Sequence, residues 1–326
     1  MKLAILGAGV IANVVADTIA QIPEIECYAV AARDYDRARA LADKHGFKLA
    51  YGSYEEMLKD EQVELVYITS PHSHHYQHMK MCIEHGKHVV CEKAFTVNAM
   101  QAREIAKLAK EKGVYVAEAI WTRYMPSRKM INDLLEGGAI GKVHTLTANL
   151  SYDVDEIRRM WDPALAGGTL LDLGVYGIHF MGMHFGTDYE SMHTAVYKME
   201  TGMDGMETMT YFYPGGRMAV LTHSSYCRSD RKGIFHGDKG YMIVENINNP
   251  QSISIYDTND VLLQHIPVPE QISGYEYQFI EAVRCIKEGK IESDSIPFED
   301  TFWVMEQMDK LRAEWGMKYP QEIEEV

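Results

Sequence analysis

Residues 3–12 read Leu-Ala-Ile-Leu-Gly-Ala-Gly-Val-Ile-Ala, and this stretch carries the strongest indication of the fold. The apolar run Leu3–Leu6 predicts a buried strand, and the glycine-rich segment after it has the form G-x-G-x-x-A and opens a helical pattern. In this form Gly7 permits a tight turn, Gly9 lets the backbone approach a pyrophosphate, and Ala12 allows close packing of helix against strand. The helix N-terminus also favours negative charge. We therefore predict a dinucleotide-binding turn, rather than a purely structural one, formed by Gly7, Gly9, Val10, Ile11 and Ala12.

The remainder of the first third repeats this alternation of short apolar runs and helical patterns. Further strands are predicted at Cys27–Ala31, Val63–Ile68, His88–Cys91 and Tyr115–Ala119. Continuous apolar strands separated by helices are typical of a parallel, doubly wound sheet covered on both faces. The prediction is an α/β fold whose N-terminal Rossmann domain spans residues 1–120.

The pattern changes after residue 120, and strands dominate from Val143 onward. A predicted helix at Thr169–Phe185 interrupts them, and two helices, Gly274–Glu288 and Phe298–Glu314, close the series. We predict a C-terminal α+β domain over residues 121–326, built on a mostly antiparallel open sheet. Several strands carry large side chains on both faces, as in Met209–Tyr213. This favours a homodimer or higher homo-oligomer formed through the sheet, the alternative being coverage by the chain's own terminal segment.

Composition narrows the partners and the compartment. The chain has 326 residues and a net charge of -15, which disfavours nucleic acid and anionic membrane surfaces as partners. No stretch reaches the roughly 18 apolar residues of a membrane span. The five cysteines form no C-x-x-C pair, so a disulfide framework is not expected and a reducing, cytoplasmic location is.

The end of the second predicted strand bears on the choice between NAD and NADP. An acid at this position would bind a ribose 2′-hydroxyl, whereas an arginine suits a 2′-phosphate. The chain has Ala32 where the acid would stand, followed by Arg33, with Arg37 one helical turn further on. We predict NADP as cofactor, bound by Arg33 and Arg37, with NAD as the alternative if Asp34 reaches the ribose. Arg33 as a solvated helix-entry residue is the structural alternative.

Glu92 and Lys93 stand at the carboxyl end of the predicted strand His88–Cys91. Ligands bind at this edge of open α/β sheets. A lysine there can donate to a substrate hydroxyl and lower the pKa of a neighbouring acid. An isolated surface ion pair between Glu92 and Lys93 is the plainer alternative.

Asp172 and Tyr176 are spaced i, i+4 in the predicted helix 169–185, for which Thr169 is the expected N-cap. This spacing places carboxylate and phenol on one helix face, with His179 a turn further on. A carboxylate can orient a phenol, which needs help to move protons at neutral pH. The alternative is that Tyr176 is a core residue and Asp172 serves the first turn of the helix.

Four histidines cluster in sequence, at His72, His74, His75 and His78. No cysteine or acid nearby completes a zinc site, and hydride transfer to nicotinamide needs no metal where an acid–base group is present. We therefore expect no metal. The acidic end, residues 321–326, is expected to be frayed and solvated.

Three segments resemble the glucose–fructose oxidoreductase / inositol dehydrogenase / rhizopine catabolism (Gfo/Idh/MocA) family, and the resemblance extends over the whole chain. They are Gly7–Ala12, the Thr-Ser-Pro-His-Ser-His-His of residues 69–75, and the Gly-Lys-His-Val-Val-Cys-Glu-Lys of residues 86–93. The usual Glu-Lys-Pro of the family is Glu-Lys-Ala here, at Ala94. The resemblance implies further cofactor contacts from Ser70, His72, His75, Glu92, Lys93 and Trp161.

Within that family, the chain is most similar to the branch of dimeric dihydrodiol dehydrogenases and aldose dehydrogenases. Tyr176 stands where inositol-dehydrogenase-like members carry His, and residues 118–124 are similar to that branch. The resemblance implies that Tyr176 is the general acid/base, that Lys93 and Asp172 assist it, and that the substrate contacts are Trp121, Arg123, Tyr176 and His179.

The reaction implied is hydride transfer between nicotinamide, with NADP favoured, and a hydroxyl or carbonyl carbon of a sugar, polyol or trans-diol. An NAD-dependent glycosidase on the same scaffold and a non-enzymatic cofactor sensor are the alternatives.

Overall fold

The structure, a computed structural model, describes all 326 residues and divides into two compact units. The first comprises residues 1–124, 271–305 and 321–326, and the second comprises residues 125–270 and 306–320. The sequence-based prediction instead assigned everything after residue 120 to one domain. The difference arises because the helix Glu276–Lys287 belongs to the core of the first unit, where Phe279, Ala282 and Val283 are buried with Leu3 and Ile5.

The first unit contains a six-stranded sheet in the order β3-β2-β1-β4-β5-β6, in which every pair of neighbours is parallel. The order reverses between β1 and β4, which marks the position where open α/β sheets bind ligands at the carboxyl ends of their strands. The predicted Rossmann sheet is therefore confirmed. Its strands are β1 (Lys2–Leu6), β2 (Glu26–Ala31), β3 (Leu49–Tyr51), β4 (Leu65–Ile68), β5 (His88–Glu92) and β6 (Val116–Ala119).

Helices connect these strands, and capping side chains and glycines set the ends of two of them. Asp34 and Asn98 cap the second and fifth helices with their side chains, while Gly46 and Gly113 end those helices in the left-handed conformation. The helices are α1 (Val10–Ile19), α2 (Tyr35–His45), α3 (Tyr54–Lys59), α4 (His72–Glu84) and α5 (Ala99–Lys112).

The second unit contains an eight-stranded sheet in the order β14-β13-β12-β11-β7-β10-β9-β8. Only the pairing of β7 with β10 is parallel, which confirms the predicted mostly antiparallel sheet. The strands are β7 (Val143–Ser151), β8 (Ser191–Lys198), β9 (Asp204–Tyr213), β10 (Arg217–Ser224), β11 (Gly233–Gly237), β12 (Gly240–Val244), β13 (Ser252–Asp257) and β14 (Leu262–Pro267).

The remaining helices are α6 (Pro126–Glu136), α7 (Arg158–Trp161), α8 (Val175–His184), α9 (Glu276–Lys287), α10 (Phe298–Glu314) and α11 (Gln321–Glu324). The predicted frayed end is ordered in the structure. The side chains of Asn98 and Gln101 donate to the backbone carbonyls of Glu324, Ile323 and Glu325, so this segment packs on α5.

The single helix predicted over residues 169–185 differs from the structure in its first turn. Leu170–Gly174 is π-helical, and the regular α8 begins only at Val175. Thr169 does not cap the helix with its side chain, because its hydroxyl donates to the Gly205 carbonyl at 3.0 Å. The backbone N–H of Leu170 donates instead to the carboxyl of Asp204, on the neighbouring strand β9.

The stretch Pro163–His184 is long and apolar enough to cross a membrane by length and composition alone. In the structure, 89% of its most apolar 18-residue window is buried inside the protein, as in the core helix of a globular fold.

Candidate active site

The glycine turn after β1 leaves the start of α1 open. Gly7 has φ of +110°, and a Cβ there would lie 2.6 Å from the Thr69 hydroxyl oxygen, so both conformation and space require glycine. Gly9 is extended and precedes α1, and a Cβ built on it meets no atom within 4 Å. Val10 is 84% exposed. The backbone of this helix N-terminus is therefore accessible to an anion such as a pyrophosphate.

Two arginines flank that turn. Arg33 follows the end of β2 and is exposed, and Arg37 donates from Nη2 to the Ala8 carbonyl at 2.9 Å. Asp34, which could have bound a ribose hydroxyl, accepts instead from the backbone N–H groups of Asp36 and Arg37 and caps α2. The charge presented beside the turn is therefore positive, which suits a phosphate group.

His75 joins two loops at the same sheet edge. Its ring is fully buried, with Nδ1 2.8 Å from the Ala94 carbonyl oxygen and Nε2 2.8 Å from the Ser70 carbonyl oxygen. These loops follow β5 and β4 respectively. Burial lowers the pKa of His75. The side chain therefore fixes the spacing between the loops that carry Ser70 and Lys93.

The other histidines of this cluster also contact protein groups. Nδ1 of His78 lies 2.9 Å from the Ser70 hydroxyl, and burial lowers the pKa of His78 to about 3. The ring of His72, the first residue of α4, meets the His75 ring edge-on at 5.6 Å between centroids. These contacts place the histidines as supports of the loop after β4.

The loop bearing Lys93 is held from a second side. Glu118, at the end of β6, accepts from the Phe95 backbone N–H at 3.1 Å and from the Thr301 hydroxyl at 3.3 Å. Ala94 follows Lys93 across a cis peptide bond. Glu92 accepts a hydrogen bond from the buried Tyr67 hydroxyl. Lys93 itself is partly exposed.

Two predicted substrate contacts lie inside the first unit. Trp121 is buried and stacks on Tyr275, with 4.0 Å between ring centroids and 17° between planes. The Arg123 side chain is 2% exposed, and its guanidinium pairs with Asp300. The charge of Arg123 is therefore already neutralised within the protein, and its observed role is to anchor the start of α10.

The predicted acid–base residues lie in the second unit. Asp172 is in the π-helical turn, and Tyr176, 8% exposed, is in the first turn of α8. The Asp172 carboxylate pairs with Arg159 at 2.6 Å between Oδ1 and Nη1. The Asp172 side chain is 9% exposed and that of Arg159 is 45% exposed, so the arginine reaches the carboxylate from the solvent side. π-Helical turns occur frequently at functional sites.

Sequence reasoning did not assign a role to Arg159, because this residue lies thirteen positions before Asp172 and no helical spacing joins the two. The only feature of the sequence that could have indicated a functional cation here is the pair of adjacent arginines at positions 158 and 159. His179, predicted to contact substrate, is fully buried in α8 and has the burial of a core residue. Trp161 is 37% exposed, and its Nε1 donates to the Glu156 carbonyl at 3.4 Å.

The structure thus brings most predicted residues together within each unit. The carboxyl ends of β1, β2, β4 and β5 present Gly9, Arg33, Ser70 and Lys93 along one edge of the first sheet. In the second unit, Asp172 pairs with Arg159, and Tyr176 follows Asp172 by four residues, at the start of α8.

Known families and proteins match both parts of the chain. Residues 1–119 match the oxidoreductase family with an NAD-binding Rossmann fold, and residues 129–243 match the GFO/IDH/MocA C-terminal domain. The chain is 32% identical over 335 residues to the trans-1,2-dihydrobenzene-1,2-diol dehydrogenase of Mus musculus, covering 99% of each protein. It is 30% identical over 330 residues to the Homo sapiens enzyme of the same name, again covering 99% of each.

Two solved structures share the fold. A 3-ketoreductase from Actinomadura kijaniata, in complex with NADP and TDP-benzene, gives a TM-score of 0.88 at 21% identity, covering 96% of this chain and 97% of that one. An aldose-aldose oxidoreductase from Caulobacter crescentus gives 0.85 at 17% identity, covering 96% of each chain.

Proposed function

We propose that this chain, which belongs to the GFO/IDH/MocA family of oxidoreductases, is an NADP-dependent dehydrogenase acting on the CH–OH group of a sugar, polyol or trans-diol. One observation carries the proposal furthest. A glycine turn open to a pyrophosphate, flanked by Arg33 and Arg37, shares a sheet edge with Lys93 in a chain similar along its length to diol dehydrogenases.

The residues present fit the cofactor. The N–H groups at Gly9 and Val10 would hold the pyrophosphate, because the space in front of Gly9 is open. Arg33 and Arg37 would pair with the 2′-phosphate, since Asp34 is engaged as a helix cap. The nicotinamide of bound NADP supplies the hydride acceptor or donor.

The protein's own groups handle the substrate oxygen and its proton. Lys93 donates to that oxygen, and its positive charge favours the ionised form of an oxygen bound there. Tyr176 takes the hydroxyl proton during oxidation and returns it during reduction. Asp172, which is paired with Arg159, orients the phenol. His75 and Glu118 hold the loop that positions Lys93.

The test is a scan of aldoses, polyols and trans-diols with NADP and with NAD, following the absorbance of the reduced nicotinamide. We expect turnover of at least one class with NADP preferred. A strong preference for NAD would overturn the assignment of Arg33. Substrate cleavage with a retained cofactor and no net nicotinamide reduction would replace the dehydrogenase by a glycosidase-type enzyme.

We also propose that the protein is a cytoplasmic homodimer or higher homo-oligomer formed through its second sheet. One face of that sheet carries exposed large side chains on its neighbouring strands β8 and β9, namely Tyr197, Met206 and Phe212. Exposed large side chains on one face of a sheet are typical of an interface. All five cysteines are free, which fits a reducing compartment.

A further inference from the structure

Three ionisable side chains lie buried beneath the helical turn that carries Asp172. Asp204 and Glu207 are on β9, and His223 faces Glu207 from the paired position of β10. All three are buried, and the proposed reaction gives none of them a role. We call Asp204, Glu207 and His223 the buried carboxyl cluster.

The backbone of the helix rests directly on this cluster. A Cβ at Gly168, Gly174 or Gly177 would overlap Asp204 Oδ1, Glu207 Oε1 or His223 Nε2, respectively. These three glycines bracket the π-helical turn and the start of α8, so each member of the cluster contacts a different point of the segment from residue 168 to residue 177. Only glycine permits so close an approach.

Asp204 also supplies the hydrogen bond that begins the helix. Its Oδ2 accepts from the Leu170 backbone N–H at 2.5 Å, a contact that Thr169 does not provide. The helix start is therefore fixed by a carboxyl group of the sheet, and not by a local cap. A displacement of Asp204 would release the turn that carries Asp172.

Burial shifts the pKa of all three members of the cluster. Burial and the neighbouring Glu207 carboxyl raise the pKa of Asp204 well above its usual range. Burial raises the pKa of Glu207 to about 8 and lowers that of His223 to about 3. At neutral pH the imidazole of His223 is therefore neutral, with Nδ1 3.0 Å from Glu207 Oε1. Buried polar groups linked in this way hold a unique arrangement.

We propose that the buried carboxyl cluster is a positioning device for catalysis, which holds the segment from Gly168 to Gly177 and thereby sets the orientation of Asp172 and Tyr176. This inference rests on the proposed function, in which Tyr176 is the acid–base group. The other titratable groups around the cluster are the phenols of Tyr211, beside Glu207, and Tyr226, beside Asp204. Burial raises the pKa of both phenols.

The kinetic test compares conservative and disruptive substitutions. Glu207→Gln keeps the shape and the hydrogen-bonding groups, whereas Glu207→Leu and Asp204→Ala remove them. We expect kcat to fall at least about tenfold in the disruptive variants and to stay within about threefold of wild type in Glu207→Gln, with the Kd for NADP little changed in all of them. Glu200→Gln, at an exposed position of the same unit, is the matched control.

A pH measurement separates positioning from simple stabilisation and needs no substrate. The Tyr176 phenol is titrated by NMR in ¹³C-tyrosine-labelled protein, with the signal assigned by its loss in Tyr176→Phe. Ionised Glu207 places a negative charge under the helix at alkaline pH, which raises the pKa of that phenol. In Glu207→Gln we therefore expect the Tyr176 pKa to fall by a few tenths of a unit, and no shift in Glu200→Gln.

The outcomes are distinguishable. A wild-type protein with no nicotinamide-dependent turnover would reject the proposed function, while the phenol titration still decides the inference. If the disruptive variants only melt at lower temperature, with unchanged kcat and phenol pKa, the cluster is merely structural and the inference is overturned. If these variants fail to fold, the Tyr176 pKa is measured in Asp204→Asn and Glu207→Gln instead, and a pKa unchanged from wild type in both overturns the inference.

Discussion

At the scale of single residues, the chemistry that we propose for the second unit centres on Tyr176 and its neighbour Asp172. The Asp172 carboxylate is paired with Arg159 and lies in the π-helical turn that precedes the helix of the phenol. An ionised carboxylate orients a phenol but does not itself exchange protons at neutral pH. In the proposed reaction Tyr176 is therefore the residue of this pair that transfers the proton.

Replacing Tyr176 by Phe should therefore abolish most activity without changing the fold. The ring is buried and only the hydroxyl is lost, so we expect kcat to fall by about 100-fold or more while the Kd for NADP is unchanged. Steady-state kinetics and cofactor titration by fluorescence measure the two quantities. Tyr241→Phe, which removes only an exposed hydroxyl bonded to Asp260, is the control. A fully active Tyr176→Phe would remove the acid–base assignment.

Arg33 decides the cofactor preference in our proposal. Removal of a charge-assisted bond to phosphate costs roughly 1.5–3 kcal/mol, so Arg33→Ala should raise the KM for NADP at least about tenfold and leave that for NAD nearly unchanged. Arg39→Ala is the control, because Arg39 lies in α2, close to Arg33 in sequence, and pairs with the exposed Asp43 of that helix. Equal losses with both cofactors would indicate that Arg33 does not contact the 2′-phosphate.

Residue roles set by motif position could be predicted from sequence, whereas those set by distant partners could not. The glycines of the turn and Lys93 lie at the sheet edge expected for them. Thr169 was predicted as a cap, but Asp204, 34 residues later, takes that function. Arg123 was predicted as a substrate contact, and its pairing with Asp300, 177 residues away, was not predicted. No local pattern reports such partners.

At the scale of elements, strands and regular helices followed from periodicity, while the π-helical turn did not. The apolar pattern of residues 169–185 is the same for one continuous helix as for a π turn followed by α8. What selects the π turn is the sheet beneath it, through Asp204 and the glycine contacts. A signal was present in Gly168, Gly174 and Gly177, whose recurrence in an apolar helix marks close backbone packing.

The start of α1 offers a test of cofactor binding at this scale. Gly9 is extended and a Cβ there meets no atom, so Gly9→Ala should keep the melting temperature of the free protein. The added methyl group occupies the space before the helix N-terminus, so we expect the Kd for NADP to rise at least about tenfold. Calorimetry measures both quantities. Gly52→Ala, which makes only ordinary contact with Tyr35, should bind normally. Unchanged binding in Gly9→Ala would place the pyrophosphate elsewhere.

At the scale of the whole molecule, the predicted family, fold class and enzyme class are confirmed. The division of the chain was not predictable, because helices α9 and α10 show the same periodicity whichever unit they cover. Only the burial of Phe279 and Val283 with the N-terminal strands reveals that α9 completes the first core.

The buried carboxyl cluster makes global stability depend on pH. The pKa of Glu207 rises from 4.5 in the unfolded chain to about 8 in the folded one. The native state therefore loses stability as pH rises from 4.5 to 8, because only the unfolded chain releases the proton there. In Glu207→Gln this loss is absent. As pH rises, the free energy of unfolding of the variant should therefore increase relative to that of wild type by up to about 1.4 kcal/mol per pH unit. Urea unfolding between pH 5 and pH 8 checks this, and a flat difference would contradict it.

The exposed face of the second sheet gives the prediction for assembly. A charge at position 212 should dissociate the proposed oligomer, because the Phe212 side chain is exposed on the face of the second sheet that we propose as the interface. We expect Phe212→Asp to elute as a monomer in size exclusion with light scattering. Ile280→Asp, at an exposed position of α9, should keep the wild-type mass. A wild-type monomer would reject the proposed assembly.

The return of the chain to its first unit has a consequence during synthesis. The core around β1 includes Phe279, Ala282, Val283 and Cys285, so it lacks these side chains until most of the chain has left the ribosome. Domains that are continuous in sequence can close as soon as they emerge. Here the Rossmann strands of the nascent chain keep apolar surface exposed until α9 has been synthesised. Chaperones that bind exposed apolar surface should therefore affect folding most during that interval.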